Sequence, residues 1–211
     1  MNPDVVVWDW LFALAVGQAV ESPADVDREL VARAASGDRR AFDQLYRRHV
    51  DLAFRRMSRL IGPDPEREDL VQQVFIDAFR SLASFRSESR FSTWLYRILV
   101  HAAYDHLRRR KRRGVPVSAD ELLQVMALDL SPEAAAHQKR EVARALGLLE
   151  RLKPKKRIAF VLRVVEGLSL DEIGTMVGAE AAAVGQRVKY AQRELTEMIA
   201  RDERRQSGGV S

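Results

Sequence analysis

The sequence predicts an all-α protein with two small helical domains joined by a linker. Apolar residues recur at helical spacing from about Asp27 to Arg204, with almost no strand-like alternation. Only 7 Pro and 11 Gly occur among 211 residues, so little of the chain is low in complexity. Residues 114–133 differ in composition: they contain acids and no base, with a proline near each end. This stretch is typical of a linker between domains.

Each predicted helix is bounded by local signals. The predicted helices span about 27–35, 39–60, 65–83 and 92–113 in a first domain (27–113), then 132–151, 154–166, 170–177 and 181–204 in a second domain (134–204). Gly62-Pro63 and Gly114 end helices, and Asp64-Pro65 predicts an N-cap followed by the first helical position. Ser169 and Glu172 predict a capping box. Residues 205–211 are predicted to form a disordered tail.

Residues 1–26 form an N-terminal extension. Its apolar run, Val5–Val20, is shorter than the roughly 20 residues of a spanning helix and is interrupted by Asp9. It also lacks the basic start of a secretory signal. Three interpretations stay open: a helix that docks on the body, a partner-binding or interfacial segment, or residues added by a mis-assigned start codon. We favour an accessory or artefactual extension, because the periodic pattern begins only near Asp27.

The charge of the chain is unevenly distributed. The formal net charge is +5, but residues 1–30 carry −5 and the remainder +10. A basic body predicts a polyanionic partner, either nucleic acid or an anionic membrane surface. The absence of cysteine excludes disulfides and thiolate zinc sites and fits a reducing cytoplasm. The four histidines lack metal-ligand spacing, and no phosphate-binding loop, dinucleotide fingerprint or nucleophile elbow occurs, so we expect no enzyme, metal or cofactor.

The helix predicted at 92–113 carries the clearest functional signal. On a helical wheel, one side holds Leu95, Leu99, Ala102, Ala103 and His106, and the other holds Trp94, Arg97, His101, Tyr104 and Arg108. The helix ends in six consecutive basic residues, Arg108–Arg113. Cations neutralise phosphates, and aromatic faces stack on bases that have left the duplex. This face therefore favours nucleic-acid contact over a core helix with a solvated basic end.

Two further helix faces are candidate interfaces. The third predicted helix buries Val71, Val74, Phe75, Ala78 and Leu82 and leaves Ile76 among polar residues. A single exposed apolar residue is common, so this pattern alone does not predict an interface.

In the second domain, a capped helix, a turn at 178–180 and a further helix have the layout of a helix-turn-helix. The last helix buries Val184, Val188, Ala191, Leu195 and Met198 and presents Ala182, Gln186, Lys189, Tyr190 and Arg193. Gln186 suits adenine, and Lys189 or Arg193 suits guanine or phosphate. The upstream basic cluster of Lys153, Lys155, Lys156 and Arg157 suits the DNA backbone.

Spaced blocks in a fixed order resemble the extracytoplasmic-function (ECF) sigma factors of bacterial RNA polymerase. They are ASGDRRAFDQLYRRH (35–49), EDLVQQVFIDAFRSLASF (68–85), FSTWLYRILVHAAYDHLRRRKR (91–112), RIAFVLRVVEGLSLDEIGTMVG (157–178) and AVGQRVKYAQREL (183–195). The resemblance implies a sigma region 2-like domain, a region 4-like helix-turn-helix domain and a linker that runs through the polymerase cleft.

The resemblance also implies three sets of site residues. Residues that dock on the β′ clamp helices of the polymerase would be Asp69, Gln72, Gln73, Ile76 and Arg80. Those binding the minus-ten element, including a loop that captures a flipped base, would be Arg86, Ser87, Arg90, Ser92, Trp94, Arg97, His101, Tyr104 and Arg108. Those binding the minus-thirty-five element would be Lys155, Arg157, Ala182, Gln186, Arg187, Lys189, Tyr190 and Arg193.

The implied partners are core RNA polymerase, through the β′ clamp helices and the β flap, together with promoter DNA and an anti-sigma factor. No small-molecule substrate or cofactor is implied, and the implied location is the cytoplasm, with membrane tethering through an anti-sigma factor in many relatives. The second domain departs from the family pattern: Ala183-Val184 replaces Thr-Val, and Tyr190 and Gln192 stand where basic residues are common. Gly185 also lies inside the recognition helix, at a cost of about 1 kcal/mol relative to alanine.

Two alternatives stay open. The first is a helix-turn-helix regulator that binds duplex DNA without replacing a sigma subunit. The second is a sigma-like adaptor that binds partners without initiating transcription. Binding to core polymerase distinguishes the first alternative, and promoter opening distinguishes the second.

Overall fold

The protein is helical throughout the residues that its structure describes. The computed structural model describes residues 24–62, 64–85, 89–114 and 144–207, and no strand occurs within these ranges. The chain divides into two compact units at Arg113 and Gly114. The predicted all-α class is confirmed. Our predictions for most of the extension, for residues 86–88, for the linker beyond Gly114 and for residues 134–143 lie outside the described residues.

The first unit contains four α-helices packed around a shared apolar core. They are α1 (Ala24–Ala35), α2 (Arg39–Ile61), α3 (Arg67–Ser81) and α4 (Phe91–Arg113), with a 3₁₀ turn at Leu82–Ser84 after α3. The central helix α2 contacts α1, α3 and α4. It begins where the Asp38 carboxylate accepts the backbone N–H groups of Arg40 and Ala41, and it ends at Gly62, whose φ of 73° suits glycine.

A buried ion cluster joins α1 to α2. Asp27 lies 3.0 Å from His49 Nε2 and 3.2 Å from Arg48 Nε. Both Asp27 and His49 are buried. Burial lowers the pKa of His49, and the charge and hydrogen bond of Asp27 only partly oppose this. The cluster ties the start of α1 to the middle of α2.

Two predicted helix starts in the first unit are wrong. Helix α1 begins at Ala24 rather than Asp27, and α3 begins at Arg67 rather than Pro65. Asp64 therefore does not cap α3. Its carboxylate accepts the backbone N–H of Glu66 at 2.9 Å and is otherwise engaged by side chains of α4. The two carboxylate oxygens of Asp64 therefore join the loop before α3 to α4, and the helical conformation starts only after Glu66.

The second unit is built around its long last helix. Its helices are α5 (144–151 as described), α6 (Pro154–Phe160, continued by a π-helical segment at Val161–Val165), α7 (Leu170–Val177) and α8 (Ala181–Ser207). Helix α8 packs on α6 and α7. The predicted capping box is confirmed: the Glu172 N–H donates to Ser169 Oγ at 3.2 Å, and the Ser169 N–H donates to Glu172 Oε2 at 2.7 Å.

The turn between α7 and α8 depends on two glycines. Gly178 ends α7 in the left-handed region at φ 62°, where glycine carries no steric penalty. Gly174 lies where α7 approaches the turn, and a Cβ at this position would lie 2.5 Å from the backbone oxygen of Ala179. Gly178 therefore supplies the backbone conformation of the turn, and Gly174 permits a close approach of α7 to the turn that a larger residue would prevent.

Two predictions for α8 need correction. The helix continues to Ser207, so residues 205–207 are helical rather than part of a disordered tail. Met198 is only half-buried, and Ile199 is the buried residue at this point. At 100° per residue, residues 198 and 199 lie about equally far to either side of the stripe, so the helical period alone does not choose between them.

Candidate polymerase and nucleic-acid surfaces

The outer face of α4 carries aromatic and cationic side chains, as predicted. Arg97, His101 and Arg108 are exposed, and Trp94 and Tyr104 are half-buried. The opposite face is core: Leu95, Leu99, Ala103 and His106 are buried, and Ala102 is half-buried. We call the outer set, Trp94, Arg97, His101, Tyr104 and Arg108, the α4 stripe. Because the helix is fixed by its buried side, the stripe presents a rigid surface.

Trp94 stands on an aromatic cluster at the start of α4. Its ring centroid lies 5.0 Å from that of Phe85 and 5.7 Å from that of Phe91, and Phe91 is buried. The sequence pattern did not predict this support. The cluster leaves part of the indole exposed while fixing its orientation, which suits a ring that receives a base.

The loop before α4 is described only in part. Arg90 is exposed, and its backbone carbonyl accepts the N–H groups of Thr93 and Trp94, so it begins the helix. Ser92 is half-buried in the first turn. Arg86 and Ser87 lie outside the described residues. The described part of the loop therefore leads directly into the aromatic cluster.

Two cations near the end of α4 differ in their surroundings. The Arg108 guanidinium lies 5.9 Å from the Tyr104 ring centroid and 3.2 Å from Asp105. Arg110 instead turns inward, its side chain 12% exposed, and lies 2.8 Å from Asp64. A run of six basic residues is therefore not six equivalent surface charges.

The outer face of α3 is polar with an apolar centre. All five predicted polymerase-binding residues are exposed: Asp69, Gln72, Gln73, Ile76 and Arg80. Ile76 is 45% exposed and Phe79 is 41% exposed. Phe79 also contacts Phe42 of α2, with ring centroids 4.7 Å apart. The sequence interpretation missed Phe79, although its position one turn from Ile76 was a usable signal.

The outer face of α8 presents the predicted helix-turn-helix surface. Ala182, Gln186, Lys189, Tyr190 and Arg193 are exposed, and Arg187 is half-buried. The inner residues Val184, Val188, Ala191 and Leu195 are buried. The ring of Tyr190 is 44% exposed and lies between two cations, with Lys156 Nζ 5.5 Å and Arg193 Cζ 5.3 Å from its centroid. A polar, partly cationic face therefore stands on a well-packed helix.

The basic cluster at 153–157 is only partly exposed at the surface. Lys153 and Lys155 are exposed, and Lys156 forms an ion pair with Glu194 of α8. Our prediction that Arg157 contacts DNA is wrong, because its side chain is 2% exposed and its Nη1 lies 2.6 Å from Glu150 Oε1. Arg157 lies on the side of α6 that faces the core and pairs with α5. Its charge is paired with Glu150 inside the second unit.

Within the described ranges, no group of three or more His, Asp or Glu side chains is arranged to hold a metal ion. No described helix combines the length and the apolar character needed to cross a membrane.

Comparison with known proteins identifies the family. The Sigma-70 region 2 family model matches residues 45–113, and the Sigma-70 region 4 family model matches residues 141–195. The ECF RNA polymerase sigma factor SigE of Mycolicibacterium smegmatis is 34% identical over 182 residues, which cover 85% of this chain and 70% of that protein. The chain belongs to the ECF sigma factors. Its function is therefore that of an RNA polymerase sigma factor in promoter-specific transcription initiation.

Further relatives match this chain over most of its length and over almost all of their own. RNA polymerase sigma factor CnrH of Cupriavidus metallidurans is 33% identical over 188 residues, which cover 86% of this chain and 98% of that protein. The solved structure of CnrH in complex with the cytosolic domain of CnrY aligns with a TM-score of 0.58 at 29% identity, covering 84% of this chain and 99% of that one. Membership of this family favours the function of a sigma factor over that of a regulator that binds only duplex DNA.

Proposed function

We propose that this sigma factor opens promoters by dividing three tasks among three helix faces. The outer face of α3 docks on the β′ clamp helices of core polymerase. The α4 stripe and the loop before it hold the unpaired minus-ten strand. The outer face of α8 reads the minus-thirty-five duplex, while the second unit contacts the β flap. The corresponding domains are residues 27–113 and 134–204, with the linker at 114–133.

The α4 stripe is the observation that carries this proposal. A helix that only filled the core would expose a mixed charged surface, but here a supported tryptophan and a tyrosine alternate with cations. Stacking on an aromatic ring is worth about 1–3 kcal/mol per base, and unstacking a base costs a few kcal/mol. For one or two captured bases, stacking together with phosphate contacts therefore comes close to offsetting the cost of unstacking those bases.

Ile76 supports the docking role of α3. Its exposed apolar side chain lies among Asp69, Gln72 and Gln73, so the face has an apolar centre with a polar rim. This arrangement is common in protein interfaces. The adjacent Phe79 widens the apolar centre.

The protein acts in the cytoplasm as an initiation factor with no catalysis of its own, since the polymerase supplies the chemistry. An anti-sigma factor is a further partner in this proposal. Its support is that the related CnrH was solved in complex with the cytosolic domain of CnrY.

Transcription in vitro tests the proposal. The full-length chain and core polymerase are incubated with genomic fragments, and transcripts are mapped with and without the sigma factor. We expect new start sites that depend on the chain. A folded chain that binds duplex DNA but neither retains core polymerase nor yields start sites would support the duplex-binding regulator instead. Retention of core polymerase without promoter opening would support the adaptor.

A further inference from the structure

The buried carboxylate of Asp64 binds the inner side of the basic end of α4. Its Oδ2 lies 2.7 Å from His106 Nε2 and accepts a hydrogen bond from Arg110 Nη1 at 2.8 Å. Its Oδ1 accepts the N–H of Glu66 at 2.9 Å. The side chains of Asp64 and His106 are each 3% exposed. One residue of the loop before α3 therefore binds α4 at two points one helical turn apart.

Arg110 faces away from the α4 stripe. At about 100° per residue, Arg112 falls in line with Trp94 about five turns earlier, whereas Arg110 lies roughly 160° from that line. The structure agrees with this geometry, because Arg112 is exposed and the Arg110 side chain is 12% exposed. The stripe thus continues to Arg112, while Arg110 holds the helix from behind.

Most of the last two turns of α4 lies outside the buried core of the first unit, in the part of the chain that the structure describes. The buried residues of α4 end at Leu107, and every residue of 108–113 except Arg110 is exposed. Glu66 adds longer contacts, at 3.6 Å to Arg113 and 3.6 Å to His106. The six adjacent positive charges repel one another, so a nearby negative charge stabilises the helical end of α4 in its position.

Asp64 is suited to supply that counter-charge. Burial tends to raise its pKa, but the His106 hydrogen bond and charge, the Glu66 N–H and the Arg110 charge together hold the pKa below its ordinary value. The carboxylate is therefore ionised at neutral pH. A buried ion pair is also screened by salt much less than an exposed pair.

We propose that Asp64 is a positioning residue for promoter opening: by binding His106 and Arg110, it fixes the rotation of the end of α4 so that Arg108 and Arg112 face the DNA phosphates. This inference rests on the proposed function of the α4 stripe. Asp64 itself does not touch DNA.

Two variants that change the net charge equally distinguish positioning from a general attraction between the protein and DNA. Asp64→Asn raises the net charge by one, and so does the matched control Asp51→Asn on the exposed face of α2. General attraction to DNA predicts that both variants bind equally well or more tightly. Positioning predicts that Asp64→Asn lowers promoter opening by about tenfold or more, as expected when a buried charge loses its partner, while Asp51→Asn stays within about twofold.

The assay uses holoenzyme reconstituted from core polymerase and the full-length chain. The probe is a DNA fragment that the wild-type holoenzyme retains from fragmented genomic DNA, and opening is measured as permanganate reactivity of unpaired thymines. Circular dichroism and core-polymerase retention establish that each variant is folded and bound. If Asp64→Asn opens the probe as well as Asp51→Asn does, the positioning role is refuted. If the wild type opens no fragment, the proposed function itself fails, and this inference fails with it.

A second pair of variants keeps the test decisive if Asp64→Asn does not fold. Arg110→Gln leaves Asp64 bound to His106, whereas Arg112→Gln removes an exposed cation of the stripe. We expect Arg112→Gln to reduce the salt dependence of probe binding by about 0.7–0.9 in the slope of log K against log salt. Arg110→Gln should lower opening and also reduce the slope, because Arg108 and Arg112 then no longer face the phosphates. Added to the double variant Arg108→Gln/Arg112→Gln, it should cause no further loss of slope. A further loss of about 0.7–0.9 would mean that Arg110 contacts a phosphate itself, and an unchanged slope in Arg110→Gln alone would mean that it positions nothing; either result would overturn the assignment of Arg110.

Discussion

Replacing Gly174 with alanine tests the close approach of α7 to the turn before α8. A Cβ on this residue would lie 2.5 Å from the backbone oxygen of Ala179 and 3.6 Å from the nitrogen of Ala181. The obstacle is backbone, and the Ala179 N–H already donates to the Gly174 carbonyl at 3.0 Å. The turn therefore has to move as a whole to accommodate one methyl group.

The expected cost follows from two opposing effects. Overpacking a tight contact costs about 1–3 kcal/mol, and alanine returns about 1 kcal/mol of helix preference over glycine. We expect Gly174→Ala to lower the free energy of unfolding of the second unit by up to about 2 kcal/mol. Gly185→Ala is the matched control, because its nearest neighbour is the Leu170 Cδ1 methyl group at 3.4 Å, which is free to move. That variant should gain up to about 1 kcal/mol.

Urea unfolding followed by circular dichroism measures both variants in the full-length chain. We expect the same substitution to destabilise the protein at residue 174 and to stabilise it at residue 185. Binding of the second unit to minus-thirty-five DNA should weaken only in Gly174→Ala, because the turn sets the angle of α8. If Gly174→Ala gains as much stability as Gly185→Ala does, the contact at the turn is not as close as described, and the reasoning fails.

Three further predictions concern other parts of the protein. Ile76→Asp should weaken retention of core polymerase by about tenfold or more, because it places a charge at the centre of an apolar contact; unchanged retention would remove α3 from the interface. Gln186→Ala should relax the preference for adenine at one position of the minus-thirty-five element by about 1–3 kcal/mol, measured by binding to single-base variants of a selected promoter. Burial lowers the pKa of His49 below its ordinary value of 6.5 despite the opposing charge of Asp27, so the unfolded chain binds this proton more tightly. The contribution of His49 to the free energy of unfolding is therefore complete above about pH 6.5 and is lost as pH falls through the lower pKa of the folded state. Urea unfolding measured against pH should show this loss in the wild type and not in His49→Gln. A free energy of unfolding that rises on acidification because of His49 would contradict the direction of the pKa shift.

Local patterns in the sequence are sufficient to predict which side of each helix is buried and which is exposed. The buried and exposed sides of α3, α4 and most of α8 follow from apolar spacing, because the 3.6-residue period fixes which side chains share a face. The capping box of Ser169 and Glu172 is equally local, since both partners lie within four residues. These features needed no knowledge of distant contacts.

Partners that are distant in the sequence could not be predicted. The sequence predicts that Asp64 caps a helix, because nothing near it indicates that its partners are His106 and Arg110, 42 and 46 residues further along the chain. Its neighbours in the sequence predict that Arg157 lies on the surface with the lysines, and only the packing of α6 reveals that it pairs with Glu150. In each case the charge was evident from the sequence, but the partner depends on tertiary structure.

Strand separation by the holoenzyme tests the central claim most directly. Wild-type holoenzyme should make thymines of the minus-ten region reactive to permanganate, and the double variant Trp94→Ala/Arg97→Ala should reduce this reactivity by about tenfold or more, as expected from the loss of one stacking contact and one phosphate contact. Core-polymerase retention should stay unchanged. Full reactivity with a folded double variant would contradict the role assigned to the α4 stripe.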